Sequence, residues 1–240
     1  MVNFPIGADD LMQWVSGAHV HVGELLSGLG DEQMVRDSAL PGWSRGHVVQ
    51  HLTDNARAFE RQARFALHGQ LVDMYDDGQR GRDLSIGRGS ARPAAHLREE
   101  LRLAQQALEE TWNRLAPEDW GRPVRFRNAT VLDTALARWR EAEIHAVDLA
   151  VGYRPRDWSL PFAWHALDFL AARAPAGVRL TLTATDHAFT QSLGTGSPVE
   201  VRGAVRDLAA WMAGRNVDGP LHTSAGALPE LGPWPPDPAD

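Results

Sequence analysis

Residues 128–150 read NATVLDTALARWREAEIHAVDLA, and their reading decides the fold because they describe one long helix with a clear start and polar groups in mid-span. Thr130 and Asp133 have the spacing of a reciprocal cap, in which each side chain satisfies the other's backbone N–H at a helix start. The helix then runs through Ala150 to a stop at Gly152. Leu132, Leu136, Trp139 and Val147 form the expected apolar stripe, and a helical wheel puts Glu141 and His145 opposite it. Ala137, Ile144 and Leu149 flank that polar face, so the helix is expected to be covered on two sides.

Three earlier segments have the same period. Leu11, Trp14, Val15, Ala18, Val22, Leu25, Leu26 and Leu29 repeat at three and four over five turns and end near Gly30. After LPGW, Ser44 is placed to cap a helix whose Val48, Leu52, Phe59 and Ala66 fall on one side. A third helix begins near Pro93, with Leu97, Leu101, Ala104, Leu108 and Leu115 on one face. Between the second and third lies a polar, glycine- and arginine-rich stretch from Gly69 to Gly89, read as a long connection over something functional. Four long helices predict a bundle over residues 1–153.

After GYRPRDW the pattern changes. A helix near 161–174 precedes VRLTLTAT, whose Val178, Leu180 and Leu182 alternate with polar residues as in a half-buried strand. PVEVRG is a second strand, followed by a helix with Val205, Leu208, Trp211 and Met212 that ends at Gly214. Residues 154–240 therefore read as a small α+β domain, closing on a proline-rich strap from Leu228. The fold class is α+β, mainly α.

The 240-residue chain has a formal net charge of -7, which argues against nucleic acid as a partner because phosphate binding needs a basic face. No apolar run approaches a membrane span, and MVNFPIGADDLMQW lacks the basic and apolar blocks of a secretory signal, so the cytoplasm is expected. With no cysteine, disulfides, thiolate metal sites and a protein thiol nucleophile are excluded, and any sulfur chemistry must borrow an external thiol. All 24 basic residues are arginine, which removes lysine Schiff-base chemistry and the phosphate-loop lysine. Arginine used to the exclusion of lysine also suggests a GC-rich genome such as an actinobacterium's.

Glu141 and His145 stand four apart on the fourth helix, one turn from each other on one face. His51 lies at the shoulder of the second helix's apolar stripe and points partly into the bundle. Two imidazoles and a carboxylate are a ligand set used by catalytic zinc, which keeps a position open. The same Glu/His spacing also suits a solvated ion pair, so spacing alone leaves both readings open. His47 is the alternative to His51 but falls in the first turn; His19 and His21 diverge on their helix and make a poor metal pair. GRGSAR and GTGSPV lack the glycines of a phosphate loop. Arg215, beside Gly214, suits a helix C-terminus, where a cation meets the dipole.

Taken together, LPGWSRGHVVQHLTDNA (40–56), RWREAEIHAVDLA (138–150) and AGRNVDG (213–219) resemble motifs of the mycothiol-dependent maleylpyruvate isomerases, members of the DinB-like helical-bundle superfamily. The likeness extends through MYDDGQRGRD (74–83) and TWNRLAPEDW (111–120). The resemblance implies a DinB-like bundle joined to a sterol-carrier-like α+β domain. It also implies zinc on His51, Glu141 and His145, mycothiol as the thiol cofactor, and Arg215 in catalysis. Arg82, in the long connection, is a candidate for holding an anionic substrate, and Asp148 for orienting a ligand histidine. The function expected is isomerisation of maleylpyruvate to fumarylpyruvate by a monomer acting on small molecules. The segment from Pro220 to Trp234 departs in composition from the isomerases. A mycothiol S-transferase is the alternative, and a non-catalytic carrier of an apolar ligand is the reading from a different class.

Overall fold

The computed structural model describes residues 6–235 and divides into two compact units, whose described parts are 6–152 and 153–235. The first five residues, part of the segment tested for a signal sequence, and the last five, at the end of the proline-rich strap, lie outside the described residues.

The first unit contains α1 (Ala8–Ser27), α2 (Asp31–Met34), α3 (Arg45–Ala66), α4 (Gly78–Gly89), α5 (Ala94–Trp112) and α6 (Val131–Asp148). Four of these close a ring: α1 packs on α5 and α6, and α3 packs on the same two. Two of the long helices, α3 and α6, start where a side chain satisfies the free N–H groups. Ser44 Oγ accepts from His47 N, while Thr130 N donates to Asp133 Oδ2 at 2.8 Å and Asp133 N donates back to Thr130 Oγ1 at 3.3 Å. The core takes Leu11, Val15, Val22 and Leu26 from α1, Val48, Leu52 and Phe59 from α3, and Leu97, Leu101 and Leu108 from α5.

Two expectations change here. The stretch from Gly69 to Gly89 is not a plain connection, because it contains α4. That helix has almost no apolar stripe, with only Ile86 and Gly89 buried, and two of its glycines, Gly81 and Gly89, sit where a Cβ would collide with a neighbour. A Cβ on Gly89 would lie 2.2 Å from Gln50 Oε1, so α4 rests directly on α3. Of the stripe expected on α6, Trp139 is buried but Leu132, Leu136 and Val147 are only half-buried; Val131, Ala135, Ala142 and Ala146 complete the packed face with Trp139. Alanines let α6 approach its neighbours closely, and this brings Glu141 and His145 toward α3 rather than away from the core.

The second unit has α7 (Leu160–Phe169), β1 (Val178–Ala184), β2 (Thr190–Leu193), β3 (Ser197–Gly203), α8 (Val205–Met212) and β4 (His222–Thr223). The sheet order is β2-β1-β3-β4, with β1 and β3 parallel and the outer pairs antiparallel. Leu180 and Leu182 of β1 are fully buried, as alternation predicts, and α7 packs on α8. The link from β2 to β3 passes beneath the start of β1. Gly194 and Gly196 carry it at φ +68° and +130°, and Cβ atoms there would meet Val178 O at 2.6 Å and Gly177 O at 2.0 Å. So GTGSPV is glycine-rich for a crossing, not for a phosphate. No helix of the described residues is long and apolar enough to cross a membrane.

Candidate metal centre

The register of α3 against α6 is set at their ends. Arg45, the first residue of α3, donates from Nε to Leu149 O at 2.8 Å and from Nη2 to Ala150 O at 3.1 Å, satisfying carbonyls left open where α6 stops. From that anchor His51 lies six residues into α3, about 9 Å along it, and His145 lies four residues back along α6, about 6 Å. The two histidines therefore meet at nearly the same level.

His51 Nε2 lies 2.8 Å from Glu141 Oε2, and His145 Nε2 lies 3.4 Å from the same oxygen. One ligand atom from each residue falls within 4.8 Å of the other two, and among the described residues this is the one such group able to hold a metal ion. The imidazole planes cross at 85° with centroids 4.8 Å apart, and Trp43 packs edge-on against His51. Atoms bound about 2 Å from one ion lie about 3.4 Å apart, so the widest pair, within 4.8 Å, has at most about 1.4 Å to close. Side-chain rotation supplies that, and the donor set fits a divalent cation.

The surroundings prepare these groups unequally. His145 Nδ1 faces Asp148 Oδ2 at 2.9 Å, and Asp148 is fully buried, with its own carbonyl accepting from Ala39 N. Burial lowers the His145 pKa, but the bonds to Asp148 and Glu141 outweigh it and raise the group to about 9. Burial dominates at His51, and with the charges of His145 and Arg82 it overrides the Glu141 bond and lowers the pKa to about 4. Burial alone would raise Glu141, yet the bonds from His145 and His51 hold its carboxyl well below the usual range. The centre thus pairs one carboxylate with one neutral and one strongly basic imidazole.

Of the other residues singled out, Arg82 comes close: it sits on α4, and its Nη2 is 3.3 Å from His51 Nδ1. His47 does not join the centre, since its Nδ1 lies 2.8 Å from Ser44 Oγ and its Nε2 3.2 Å from Ser90 Oγ. Arg215 belongs to the second unit. There its N–H closes the end of α8 on Ala210 O, Nη1 donates to Ala213 O at 2.7 Å, and the guanidinium lies 5.5 Å from the centre of the Trp234 ring. Asp207 holds the turn that follows Arg215, accepting from Asp218 N and Gly219 N.

A supporting network escaped the sequence reading. Arg138 is fully buried on α6 and donates to His19 Nε2, Leu52 O and Asn55 Oδ1, each at 2.9 Å, while His19 Nδ1 lies 2.6 Å from Glu109 Oε1. One guanidinium therefore ties α6 to α1 and to the turn of α3 next to His51. Neither Arg138 nor Glu109 carries a sequence signal for this, because their partners are distant along the chain.

A helical bundle that gathers two histidines and one glutamate at a candidate metal centre is the class this unit defines. The model of the mycothiol maleylpyruvate isomerase N-terminal domain matches residues 15–150, and the chain belongs to that family. Two solved structures are similar over both units: a mycothiol-dependent maleylpyruvate isomerase and a histidine-to-alanine mutant of one. Each superposes with a TM-score of 0.86 at 24% identity, covering 95% of this chain and 98% of the other, and so shares its fold. Curated proteins give no match.

Proposed function

We propose that this chain is a metal-dependent isomerase that uses mycothiol to convert maleylpyruvate to fumarylpyruvate, with His51, Glu141 and His145 as ligands. The observation that carries the reading is the convergence of those three side chains within 4.8 Å, in a chain whose family takes its name from this chemistry. Held by His51, Glu141 and His145, a divalent cation, most simply zinc, would favour the thiolate of mycothiol at neutral pH; addition of that thiolate to the cis double bond, and its expulsion after rotation about the resulting single bond, would give the trans isomer and return the thiol. The absence of cysteine from the chain agrees with a borrowed nucleophile.

The protein's own residues hold and orient. Asp148 accepts from His145 Nδ1 and so directs the Nε2 lone pair at the ion, while Glu141 offers the one charged ligand atom. Arg215 is assigned to the substrate, pairing with a carboxylate or with the oxyanion that develops during addition. Arg82 is assigned to an anionic substrate group. Small molecules are then the partners, and a cytoplasmic monomer is the expected form.

Two measurements test this reading. Elemental analysis of the purified protein is expected to give one equivalent of metal, lost in His51→Ala; a variant that keeps its full equivalent refutes the ligand assignment. Incubation with mycothiol and maleylpyruvate is expected to remove the cis substrate without consuming thiol. Stoichiometric thiol loss would make the protein an S-transferase instead.

A further inference from the structure

α4 brings Arg82 against His51 from the side away from Glu141. Arg82 Nη2 lies 3.3 Å from His51 Nδ1, Nη1 donates to Asp83 at 3.1 Å, and Nε is buried with no hydrogen-bond partner. A guanidinium has only donors, so in this contact Nδ1 must accept. A neutral imidazole that accepts at Nδ1 carries its hydrogen on Nε2, where Glu141 Oε2 stands 2.8 Å away to receive it. Coordination through Nε2 needs the other tautomer, with the hydrogen on Nδ1 and an acceptor beside it. An N–H of Arg82 would then face an N–H of His51.

His145 shows the arrangement that coordination requires, since its Nδ1 faces the carboxylate of Asp148. The two ligand histidines are therefore backed by opposite chemistry. Behind one stands an acceptor that supports metal binding, and behind the other a donor that opposes it.

We propose that Arg82 is a positioning residue that competes with the metal for His51, so that loading the ion turns its guanidinium away from Nδ1 and into the neighbouring cavity. This rests on the metal reading above and adds a coupling to it. The cavity, about 280 Å³, is lined by Asp54, Arg57, Arg61, Tyr75, Ser85 and Arg82 itself. Arg57 and Arg61 are already paired there, with Glu100 and Asp76, whereas Arg82 brings a donor that lacks a partner. Released from His51, its planar fork suits a carboxylate, and that site would form only in the loaded protein.

The test compares zinc affinity of the metal-free wild type and Arg82→Met by competition with a chromophoric chelator, alongside a crystal structure of the zinc-loaded wild type. The variant is expected to bind zinc between about threefold and tenfold more tightly, the worth of one lost competing hydrogen bond. In the loaded wild type, Arg82 is expected outside hydrogen-bonding distance of Nδ1. Equal or weaker affinity in the variant overturns the proposal. So does tighter binding with Arg82 unmoved in the loaded crystal, which would be charge repulsion alone. Should Arg82→Met fail to fold, the loaded crystal decides by itself. His51→Ala in the same assay separates the two readings: a retained equivalent of zinc defeats the metal centre, whereas lost zinc with unchanged Arg82→Met affinity defeats only the competition.

Discussion

Zinc uptake by the metal-free protein is expected to expel close to one proton at pH 6, and the number follows from the unequal histidines. His145, raised to about 9, is almost wholly protonated at that pH, whereas His51, lowered to about 4, is almost wholly neutral, and Glu141 is ionised. Coordination requires all three unprotonated, so His145 alone must lose a proton. Affinity should then rise about tenfold per pH unit from roughly pH 5 to 8, or about a hundredfold between pH 6 and 8. The protonated His145 costs about 4 kcal/mol of binding at pH 6, being three units below its pKa. Two ordinary histidines would behave differently, releasing nearly two protons at pH 5.5 and almost none at pH 8. Isothermal calorimetry in buffers of different ionisation heat counts the protons directly, and working at pH 6 keeps ionisation of metal-bound water out of the count. Release of zero or two protons at pH 6 would refute the assignment of basicity to His145 and neutrality to His51.

Other expectations test the supports of the centre. Asp148→Asn should weaken zinc binding by about 10- to 100-fold in chelator competition, because an amide orients the His145 ring less firmly than a carboxylate; affinity within twofold of wild type would remove Asp148 from this role. His19, lowered to about 4 by burial and then by Arg138, is neutral in the fold, so its contribution to stability is complete above pH 6.5 and is lost as the pH falls through 4. That contribution amounts to about 3 kcal/mol, shared in the same window with a similar term from His51, and denaturant midpoints for His19→Gln should fall less steeply with acid than those of wild type. Gly89→Ala should destabilise by about 1–3 kcal/mol in urea unfolding, since its methyl would collide with buried Gln50; an unchanged midpoint would show that α4 can move off α3 cheaply.

The helices of the bundle were legible from different signals: α1, α3 and α5 from a repeating apolar face, and α3 and α6 from a recognisable start at Ser44 and Thr130. The candidate ligands were legible as residue types at one-turn spacing, though only tertiary packing brings His51 to them. α4 escaped because its burial falls on glycine and a single isoleucine, leaving no stripe to detect. β2 and β4 escaped for a related reason: four polar-rich residues and two residues give no alternation long enough to read. The network of buried Arg138 and His19 with half-buried Glu109 was illegible in principle, because partners 119 and 90 residues apart leave no local period. The chemistry closest to the centre thus came from sequence, and the polar scaffold beneath it from the fold.

That scaffold places a constraint on anyone who would re-engineer the bundle. Arg138 reaches α1 through His19 and α3 through Leu52 and Asn55, so the first helix is wired to the segment that presents His51 although it carries none of the three candidate ligands. Grafting the three candidate ligands onto another four-helix scaffold would therefore have to carry this buried guanidinium and its acceptors as part of the transplant. A graft that copied three side chains alone would inherit the spacing without the stiffness.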